Sequence, residues 1–323
     1  MRKHPKTMKI LSCFPHARVI IIDHYKDVFC RSRQDYVMQH RAQSLILAAK
    51  QGSLLYEGAP VCQSFGNEFF YYTSCVMNCV YDCEYCYLKG MYPSGNLVIF
   101  LNLEDIFEAV ETKLREHPMY LCVSYDTDLL AIEHMTGYVA EWVQFVQKQN
   151  ELHPGCLKIE LRTKCAGGQV WKNVPSHPGV ICAFTLSPQA VIDAYEHRTP
   201  SLSQRLWGVT EAMREGFPVR LCFDPMIYCP DWKGQYDRML AQVCGQIDME
   251  KIVDVSVGTF RVSQDYLKKM RKNEPYSAVV QFPYQNDGGV YHYPTELMEE
   301  MEGYLVERLT ERIPKEKIFR WKS

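Results

Sequence analysis

The hydrophobic and polar positions of this chain alternate between two kinds of segment along most of its length. Short, nearly continuous apolar runs predict buried strands near residues 69–73, 119–124, 157–163, 180–186, 219–224 and 252–258. Between these runs, apolar residues three and four positions apart predict amphipathic helices near 103–115, 135–150, 201–215, 234–246 and 263–273. Apolar strands separated by such helices predict a parallel sheet covered by helices.

Six parallel strands favour an incomplete barrel, a partial (β/α)6 architecture of the α/β class, over a closed eightfold barrel. We assign residues 67–262 to this barrel. Active sites in such folds lie at the carboxyl ends of the strands. The candidate chemistry should therefore collect at that end of the sheet.

The segments that flank the barrel have different patterns. Residues 18–23 predict a buried strand and residues 35–51 predict a helix, so we expect residues 1–66 to form an N-terminal α/β layer. In residues 263–323, a basic helix precedes two β-rich runs joined by Asp287-Gly288, which predict a β-hairpin. A last helix is predicted from about residue 295 to residue 312.

The composition is that of an ordinary globular protein, with 47% hydrophobic and 23% charged residues among 323. The formal net charge of −2 gives no overall attraction to nucleic acid, so any DNA contact has to use a local basic patch. No apolar run approaches the roughly 18 residues of a membrane span. We therefore expect a soluble, cytoplasmic protein without a membrane partner.

Four of the 14 cysteines lie close together, at positions 75, 79, 83 and 86. In a cytosolic protein such spacing indicates metal or redox chemistry rather than disulfide bonds. A structural zinc site would use all four thiolates in a closed tetrahedron. A [4Fe-4S] cluster needs only Cys79, Cys83 and Cys86, which leaves one iron open, and the tight spacing favours this interpretation.

The cysteine order, with an aromatic residue directly before the last thiol, resembles the signature of the radical S-adenosylmethionine (SAM) superfamily. Within that superfamily, Cys79 to Leu88 is similar to the cluster loop of the spore photoproduct lyase family, which ends in the same Cys-x-Tyr-Cys-Tyr-Leu order. Further matches cover about residues 70–265. They lie at Ile132–Thr136, Arg162–Lys164, Tyr195-Glu196, Thr199, Arg205, Gly216–Pro218, Pro225–Tyr228 and Trp232.

The resemblance implies a radical SAM partial barrel with a [4Fe-4S] cluster and SAM as cofactors. The family reverses the methylene-bridged thymine dimer of spore DNA to two thymines by way of a 5′-deoxyadenosyl radical. The implied partners are DNA with UV-damaged thymine pairs and an electron donor such as flavodoxin or ferredoxin. The alternative is an enzyme of the same family that acts on a peptide or a small metabolite.

By position, the resemblance also implies roles for single residues. The iron ligands would be Cys79, Cys83 and Cys86. The residues around SAM would be Tyr85, Thr127, Lys164 and Thr185, with the Lys164 ammonium meeting the SAM carboxylate. The relay of hydrogen would use Tyr85 and Tyr87, with Arg261 nearby.

One departure from the family concerns the hydrogen donor. The family has a cysteine in a Ser-Cys-Thr-Ser-Asp stretch, and here Tyr125 takes the place of that thiol. Three explanations stay open: another cysteine donates, Tyr125 itself donates, or the reaction differs. Cys75 is favoured as the substitute because it lies next to the cluster loop and is not needed as a ligand, although it could also be an ordinary buried thiol. Cys122 is expected to face away from Tyr125 by strand alternation.

Basic and aromatic residues near the C-terminus suggest a DNA contact. Phosphates require Lys and Arg, and an extruded base pair requires apolar and stacking surfaces. The candidates are Arg261, the run from Lys268 and Lys269 to Lys272, and the tyrosines Tyr284, Tyr291 and Tyr293. Without a role in DNA binding, the basic run would be a solvated helix face and the tyrosines would be packed in the core.

Overall fold

The computed structural model describes residues 3–59 and 62–320 of the chain. The strands, in chain order, are β1 (Leu45–Ala48), β2 (Tyr56–Glu57), β3 (Phe70–Tyr72), β4 (Val76–Met77), β5 (Asp82–Cys83), β6 (Leu97–Phe100), β7 (Met119–Cys122), β8 (Leu157–Thr163), β9 (Val180–Thr185), β10 (Glu196–His197), β11 (Val219–Met226), β12 (Asp254–Thr259), β13 (Arg261–Ser263), β14 (Gln285–Asp287), β15 (Val290–His292) and β16 (Ile318–Arg320). The helices are α1 (Pro5–Ser12), α2 (Lys26–Phe29), α3 (Tyr36–Arg41), α4 (Leu88–Met91), α5 (Leu103–Leu114), α6 (Glu133–Thr136), α7 (Tyr138–Leu152), α8 (Val170–Asn173), α9 (Gln189–Tyr195), α10 (Leu202–Arg214), α11 (Trp232–Gln246), α12 (Gln264–Asn273) and α13 (Thr295–Thr310).

The main sheet has eight strands in the order β16-β12-β11-β9-β8-β7-β3-β2. The six strands from β12 to β3 run parallel, which confirms the incomplete (β/α)6 barrel. β16 adds a further parallel strand at one edge, and β2 pairs antiparallel at the other. All six residues of β9 are buried, as expected for a central strand with both faces covered.

A buried charge network fills part of the barrel interior. The guanidinium of Arg220, on β11, donates to Glu160 Oε2 at 2.5 Å and to Asp254 Oδ2 at 2.8 Å. Tyr120 Oη also donates to Glu160, at 2.5 Å, and Phe65 stacks against the guanidinium at 3.2 Å. A folded protein tolerates buried charges only when each charge has a partner, and here each does.

The N-terminal layer differs from the prediction. The expected strand at residues 18–23 is wrong, because this segment is irregular and its apolar side chains Val19, Ile20 and Ile21 are 60–72% exposed. The expected helix at 35–51 is also wrong in its second half. α3 ends at Arg41, and residues 45–48 form β1, which pairs in parallel with β6 in a separate sheet, β1-β6-β4.

The C-terminal hairpin and helix are confirmed, but the first strand of the hairpin lies later in the chain than predicted. The hairpin consists of β14 and β15, joined by Gly288 and Gly289, which have φ of 58° and 88°. Glycine adopts such angles at no steric cost, so these two residues allow the tight turn. Residues 279–284, expected to be its first strand, instead form turns. The division of the chain into three domains stays a prediction. In the part of the chain that the structure describes, no helix is long and apolar enough to cross a membrane.

Candidate active site

The carboxyl ends of the parallel strands surround a cavity of about 340 Å³. The last residues of β8, β9 and β11 line it, together with the segments that follow β7, β8 and β12. The loop from Cys75 to Tyr87, here called the cysteine loop, also lines it. A short segment at Cys62 and Gln63 contributes from the N-terminal layer. The cavity therefore lies at the carboxyl end of the sheet, where the sequence predicts the site.

The cysteine loop is fixed from both sides. Asn78 has a φ of 69°, a left-handed conformation that asparagine tolerates better than most residues, and its Nδ2 donates to Ser94 O and Asn96 O at 2.7 and 2.6 Å. Gln43 Nε2 donates to Cys79 O at 2.9 Å. β5, inside the loop, pairs with β10. These contacts hold the loop in one conformation at the rim of the barrel.

Three thiols of the loop, Cys79, Cys83 and Cys86, line the cavity. Burial raises the pKa of each, and that of Cys83 to about 11, so a cation is needed to hold them as thiolates. Within residues 3–59 and 62–320, no three His, Cys, Asp or Glu side chains are arranged to hold one metal ion. Three cavity thiols at positions 79, 83 and 86 have the spacing that suits a cluster in which each thiolate binds its own iron.

Lys164 extends from the end of β8 toward these thiols. Its Nζ lies 3.4 Å from Cys83 Sγ and 3.1 Å from Tyr85 Oη, and 3.9 Å from Glu196 Oε1. Burial alone would lower the pKa of Lys164, but the charges of Cys83 and Glu196 outweigh it and raise the pKa. Lys164 is thus a fixed cation beside the thiols.

Glu196 is buried and anchors this arrangement. It accepts hydrogen bonds from Tyr85 Oη, from Arg205 Nη2 and from Ser187 Oγ, the last at 2.7 Å. Burial favours the protonated acid, but Lys164 and Arg205 outweigh burial and lower the pKa of Glu196 to about 2. Glu196, itself held by Arg205, thus fixes the hydroxyl of Tyr85 and lies beside the ammonium of Lys164.

The cavity also contains hydroxyl groups that suit a polar ligand. Thr127 and Thr185, both expected near SAM, line the cavity. Thr127 Oγ1 is buried and has no hydrogen-bond partner among the residues that the structure describes. Because a buried hydroxyl without a partner is costly, this oxygen marks a place where a polar ligand fits.

Tyr87 and Tyr125 meet at the cavity, together with a thiol that was not predicted. Tyr87 Oη donates to Tyr125 O at 2.5 Å, and Tyr125 stacks on Tyr72 with 4.1 Å between ring centroids. Cys62 Sγ lies 3.7 Å from Tyr125 Oη, within hydrogen-bond distance for sulfur. Burial raises the pKa of Cys62, so its thiol keeps its proton at neutral pH.

Cys75 does not reach the cavity. Its side chain is fully buried, its thiol donates to Val123 O at 3.5 Å, and burial raises its pKa to about 12. This position argues against Cys75 both as the hydrogen donor and as a fourth ligand of a zinc site. Cys122, expected to face away, does line the cavity, because β7 ends at this residue and strand alternation no longer applies beyond it.

The basic residues expected to contact DNA separate into two groups. Lys268 and Lys269 are exposed on α12, as a DNA contact requires. Arg261 instead lines the cavity, where its guanidinium donates two hydrogen bonds of 3.1 Å to the carboxylate of Asp224. Arg271, in the same basic run, is occupied by Val280 O and Phe282 O.

The candidate tyrosines of residues 263–323, here called the C-terminal unit, are mostly packed in the core. Tyr293 is 1% exposed, and its hydroxyl accepts a hydrogen bond from Tyr228 N at 3.0 Å. Tyr284 is also buried, so neither tyrosine is available to stack on a base. Tyr291 is partly exposed, with Arg271 against its ring at 5.8 Å. For Tyr284 and Tyr293, the structure therefore favours core packing over a DNA contact.

The chain combines a partial barrel with three cavity thiols in a Cys-x3-Cys-x2-Cys loop next to a fixed lysine. This combination is that of the radical SAM enzymes. The family model of spore photoproduct lyase matches residues 69–319. The chain therefore belongs to the spore photoproduct lyase family.

Comparisons with individual proteins agree with this assignment. The chain is 22% identical over 247 residues to spore photoproduct lyase of Clostridium acetobutylicum, and the alignment covers 72% of this chain and 71% of that protein. Its fold is similar to a point mutant of spore photoproduct lyase, with a TM-score of 0.79 and 16% identity over 99% of this chain and 95% of the other. A double mutant with bound AdoMet and dinucleoside spore photoproduct has the same TM-score, identity and coverage.

Proposed function

We propose that this protein is a radical SAM lyase that reverses the methylene-bridged thymine dimer in DNA to two thymines. The observation that carries the proposal is the content of one cavity. Three thiols in cluster spacing and Lys164 lie there together with Cys62, a thiol that the cluster does not need. The family membership and the solved relatives that bind AdoMet and the dinucleoside lesion support this assignment.

The residues of the cavity suit the two cofactors. A [4Fe-4S] cluster and SAM, when bound, supply the 5′-deoxyadenosyl radical that starts the reaction. The cluster irons would be held by Cys79, Cys83 and Cys86. Lys164 provides a point charge for the SAM carboxylate, and the hydroxyls of Thr127 and Thr185 provide polar contacts. Glu196 keeps Tyr85 and Lys164 in place.

Cys62 takes the role that Cys75 was expected to have. Once the lesion has opened, the thymine methylene radical takes a hydrogen atom from Cys62, so that an S–H bond breaks and a C–H bond forms. The thiyl radical that remains can take a hydrogen atom from Tyr125 Oη, 3.7 Å away. Tyr87, hydrogen-bonded to the backbone of Tyr125, would be the next phenol to give up a hydrogen atom. That atom would be replaced from 5′-deoxyadenosine, so that no radical stays on the protein.

The partners belong to the same proposal. The exposed lysines of α12 offer a local basic surface for DNA with damaged thymine pairs. The cluster requires an external electron donor, such as flavodoxin or ferredoxin, and the reduced thiols of the site suit a cytoplasmic setting.

The direct test is a repair assay under anaerobic conditions. Reconstituted, reduced enzyme is incubated with SAM and a dinucleotide that carries the methylene-bridged lesion. We expect conversion of the lesion to the unbridged thymine dinucleotide, and loss of SAM cleavage in a Cys79→Ala, Cys83→Ala, Cys86→Ala variant. SAM cleavage without formation of the unbridged dinucleotide would reject the lyase function and favour another substrate.

A further inference from the structure

Arg162, on β8, lines the cavity with most of its hydrogen-bonding capacity unused. In the part of the chain that the structure describes, its guanidinium makes one side-chain hydrogen bond, from Nε to Glu160 Oε1 at 3.1 Å. An arginine side chain has five N–H donors, so the two terminal nitrogens keep theirs for a ligand. About a third of the side chain, 32%, is accessible.

The orientation of this guanidinium is fixed by its partner. Glu160 is nearly fully buried, and its Oε2 accepts hydrogen bonds from Tyr120 Oη and from Arg220 Nη1, each at 2.5 Å. The carboxylate therefore cannot turn, and it holds Arg162 by the Nε side. A donor group that is held in place before binding loses little entropy when a ligand arrives.

The other cations of the cavity are engaged differently. Lys164 is placed between Cys83 and Tyr85, next to the cluster thiols. Arg261 gives two hydrogen bonds to Asp224. Arg162 thus combines a fixed position with unused donors. It also lines the same cavity as Cys62, and its charge opposes the rise that burial causes in the pKa of that thiol.

We propose that Arg162 positions the substrate, by donating from its terminal nitrogens to an acceptor oxygen of the thymine lesion near Cys62. This inference rests on the proposed function and deepens it. The oxygen is either a ring carbonyl or the phosphate that links the two nucleosides, since both accept hydrogen bonds from a guanidinium. A lesion held in this way presents its methylene carbon to the thiol.

The test is a binding measurement on reconstituted enzyme loaded with SAM. The ligands are the methylene-bridged lesion as a dinucleoside, which lacks phosphate, and as a dinucleotide. We expect Arg162→Met to raise the Kd of the lesion on the order of 10- to 100-fold, as loss of a charged hydrogen bond does, with SAM affinity unchanged. Lys158→Met, an exposed change on the same strand, is the matched control and should bind like wild type.

The two ligands distinguish the source of the oxygen. Weaker binding of both assigns the contact to a ring carbonyl, and weaker binding of the dinucleotide alone assigns it to the phosphate. Equal Kd values for wild type and Arg162→Met with both ligands would overturn the inference while leaving the lyase function intact. If wild type itself binds neither ligand although it cleaves SAM, the proposed function and this inference both fail.

A second measurement applies if Arg162→Met does not fold. Wild type is then titrated with two kinds of lesion in which sulfur, a weaker acceptor, replaces one oxygen. In the dinucleoside, sulfur replaces a ring carbonyl oxygen, and in the dinucleotide it replaces a phosphate oxygen. We expect weaker binding of one of the two sulfur compounds. Unchanged affinity for both would reject the role of Arg162.

Discussion

A hydrogen donor for a carbon radical has to keep its own proton and reach the substrate. Cys62 meets both conditions, because burial raises the pKa of its thiol and the thiol lines the cavity. Cys75 meets only the first, since its side chain is fully buried and its thiol is bound to Val123 O. At the scale of single residues, direction and access decide the role, and closeness to Cys79 along the chain does not.

The donor assignment predicts different effects of two alanine substitutions. Cys62→Ala should lower the rate of lesion repair at least about tenfold, equivalent to about 1.4 kcal/mol of barrier, while SAM cleavage continues. Cys75→Ala, the matched control, should repair at the wild-type rate. Product analysis by chromatography after a single turnover measures both. Normal repair by Cys62→Ala, or loss of repair in Cys75→Ala alone, would contradict the assignment, and Cys122→Ala would be the next variant to examine.

The buried carboxylate of Glu196 predicts a pH dependence of stability. Its pKa of about 2 lies below the ordinary value of 4.5, so its ionised form stabilises the folded state. This contribution is complete above about pH 4.5 and is lost as the pH falls toward 2. At pH 7 we expect Glu196→Gln to cost about 3 kcal/mol.

Urea unfolding of cluster-free wild type and Glu196→Gln at several pH values measures this contribution. The difference between the two proteins should shrink as the pH falls from 5 to 3. Asp193→Asn, an exposed change on the preceding helix, is the control and should follow wild type. A difference that stays constant over this range would show that the charge of Glu196 does not stabilise the fold.

Sequence reasoning could predict the residues whose spacing is local. Cys79, Cys83 and Cys86 lie within one loop, and the structure brings all three to the cavity, as it does Lys164 at the end of β8. Cys62 could not be found in this way, because it lies in an irregular segment with no motif. Its closeness to Tyr125, 63 positions along the chain, results from folding of the whole barrel.

At the scale of elements, α4 and α12 form the contact that ties the cysteine loop to the C-terminal unit. Lys89, on α4, is buried between Asp82 of the loop and Glu274 at the end of α12, with distances of 2.7 and 2.5 Å. Asn273 Nδ2 donates to Lys89 O at 2.8 Å. The two helices approach so closely at Gly90 that an added Cβ would lie 2.4 Å from Tyr266 O.

Gly90→Ala should therefore destabilise the protein, because the contact is with backbone that cannot move aside. We expect a loss of about 1–3 kcal/mol, typical of overpacking, and weaker cluster retention. Gly245→Ala, in α11, is the matched control: no atom lies within 4 Å of its added Cβ, and the helix should gain up to about 1 kcal/mol. Thermal denaturation and iron content measure both effects. Equal stability of the two variants would mean that α4 and α12 separate without cost.

The errors in element assignment share a physical cause. Residues 45–48 have a pattern that suits a helix locally, but they form β1 because β6 provides a strand partner in the separate sheet. The run at residues 18–23 has the pattern of a buried strand, yet it pairs with no strand in the described chain, and Val19, Ile20 and Ile21 are exposed. Within the barrel, where pattern and pairing agree, strands such as β8 match the predicted bounds.

At the scale of the whole molecule, the net charge of −2 means that attraction to DNA depends on where the basic residues lie. Many surface lysines are paired with carboxylates, such as Lys148 with Glu111 and Lys233 with Glu300. The exposed lysines of α12 have no ion-pair partner among the residues that the structure describes. This surface consists of Lys268, Lys269 and Lys272.

If this α12 surface binds DNA phosphates, its neutralisation should weaken binding and reduce its dependence on salt. Each phosphate contact contributes a slope of about −0.9 in a plot of log K against log salt concentration. Replacing the three α12 lysines by glutamine should therefore reduce the slope for lesion-free duplex DNA by about 2 to 3. Replacing the paired lysines Lys148, Lys233 and Lys251 removes the same charge and should leave the slope nearly unchanged. Equal slopes for the two triple variants would contradict a specific role of the α12 surface, because its three charges would then matter no more than three charges elsewhere.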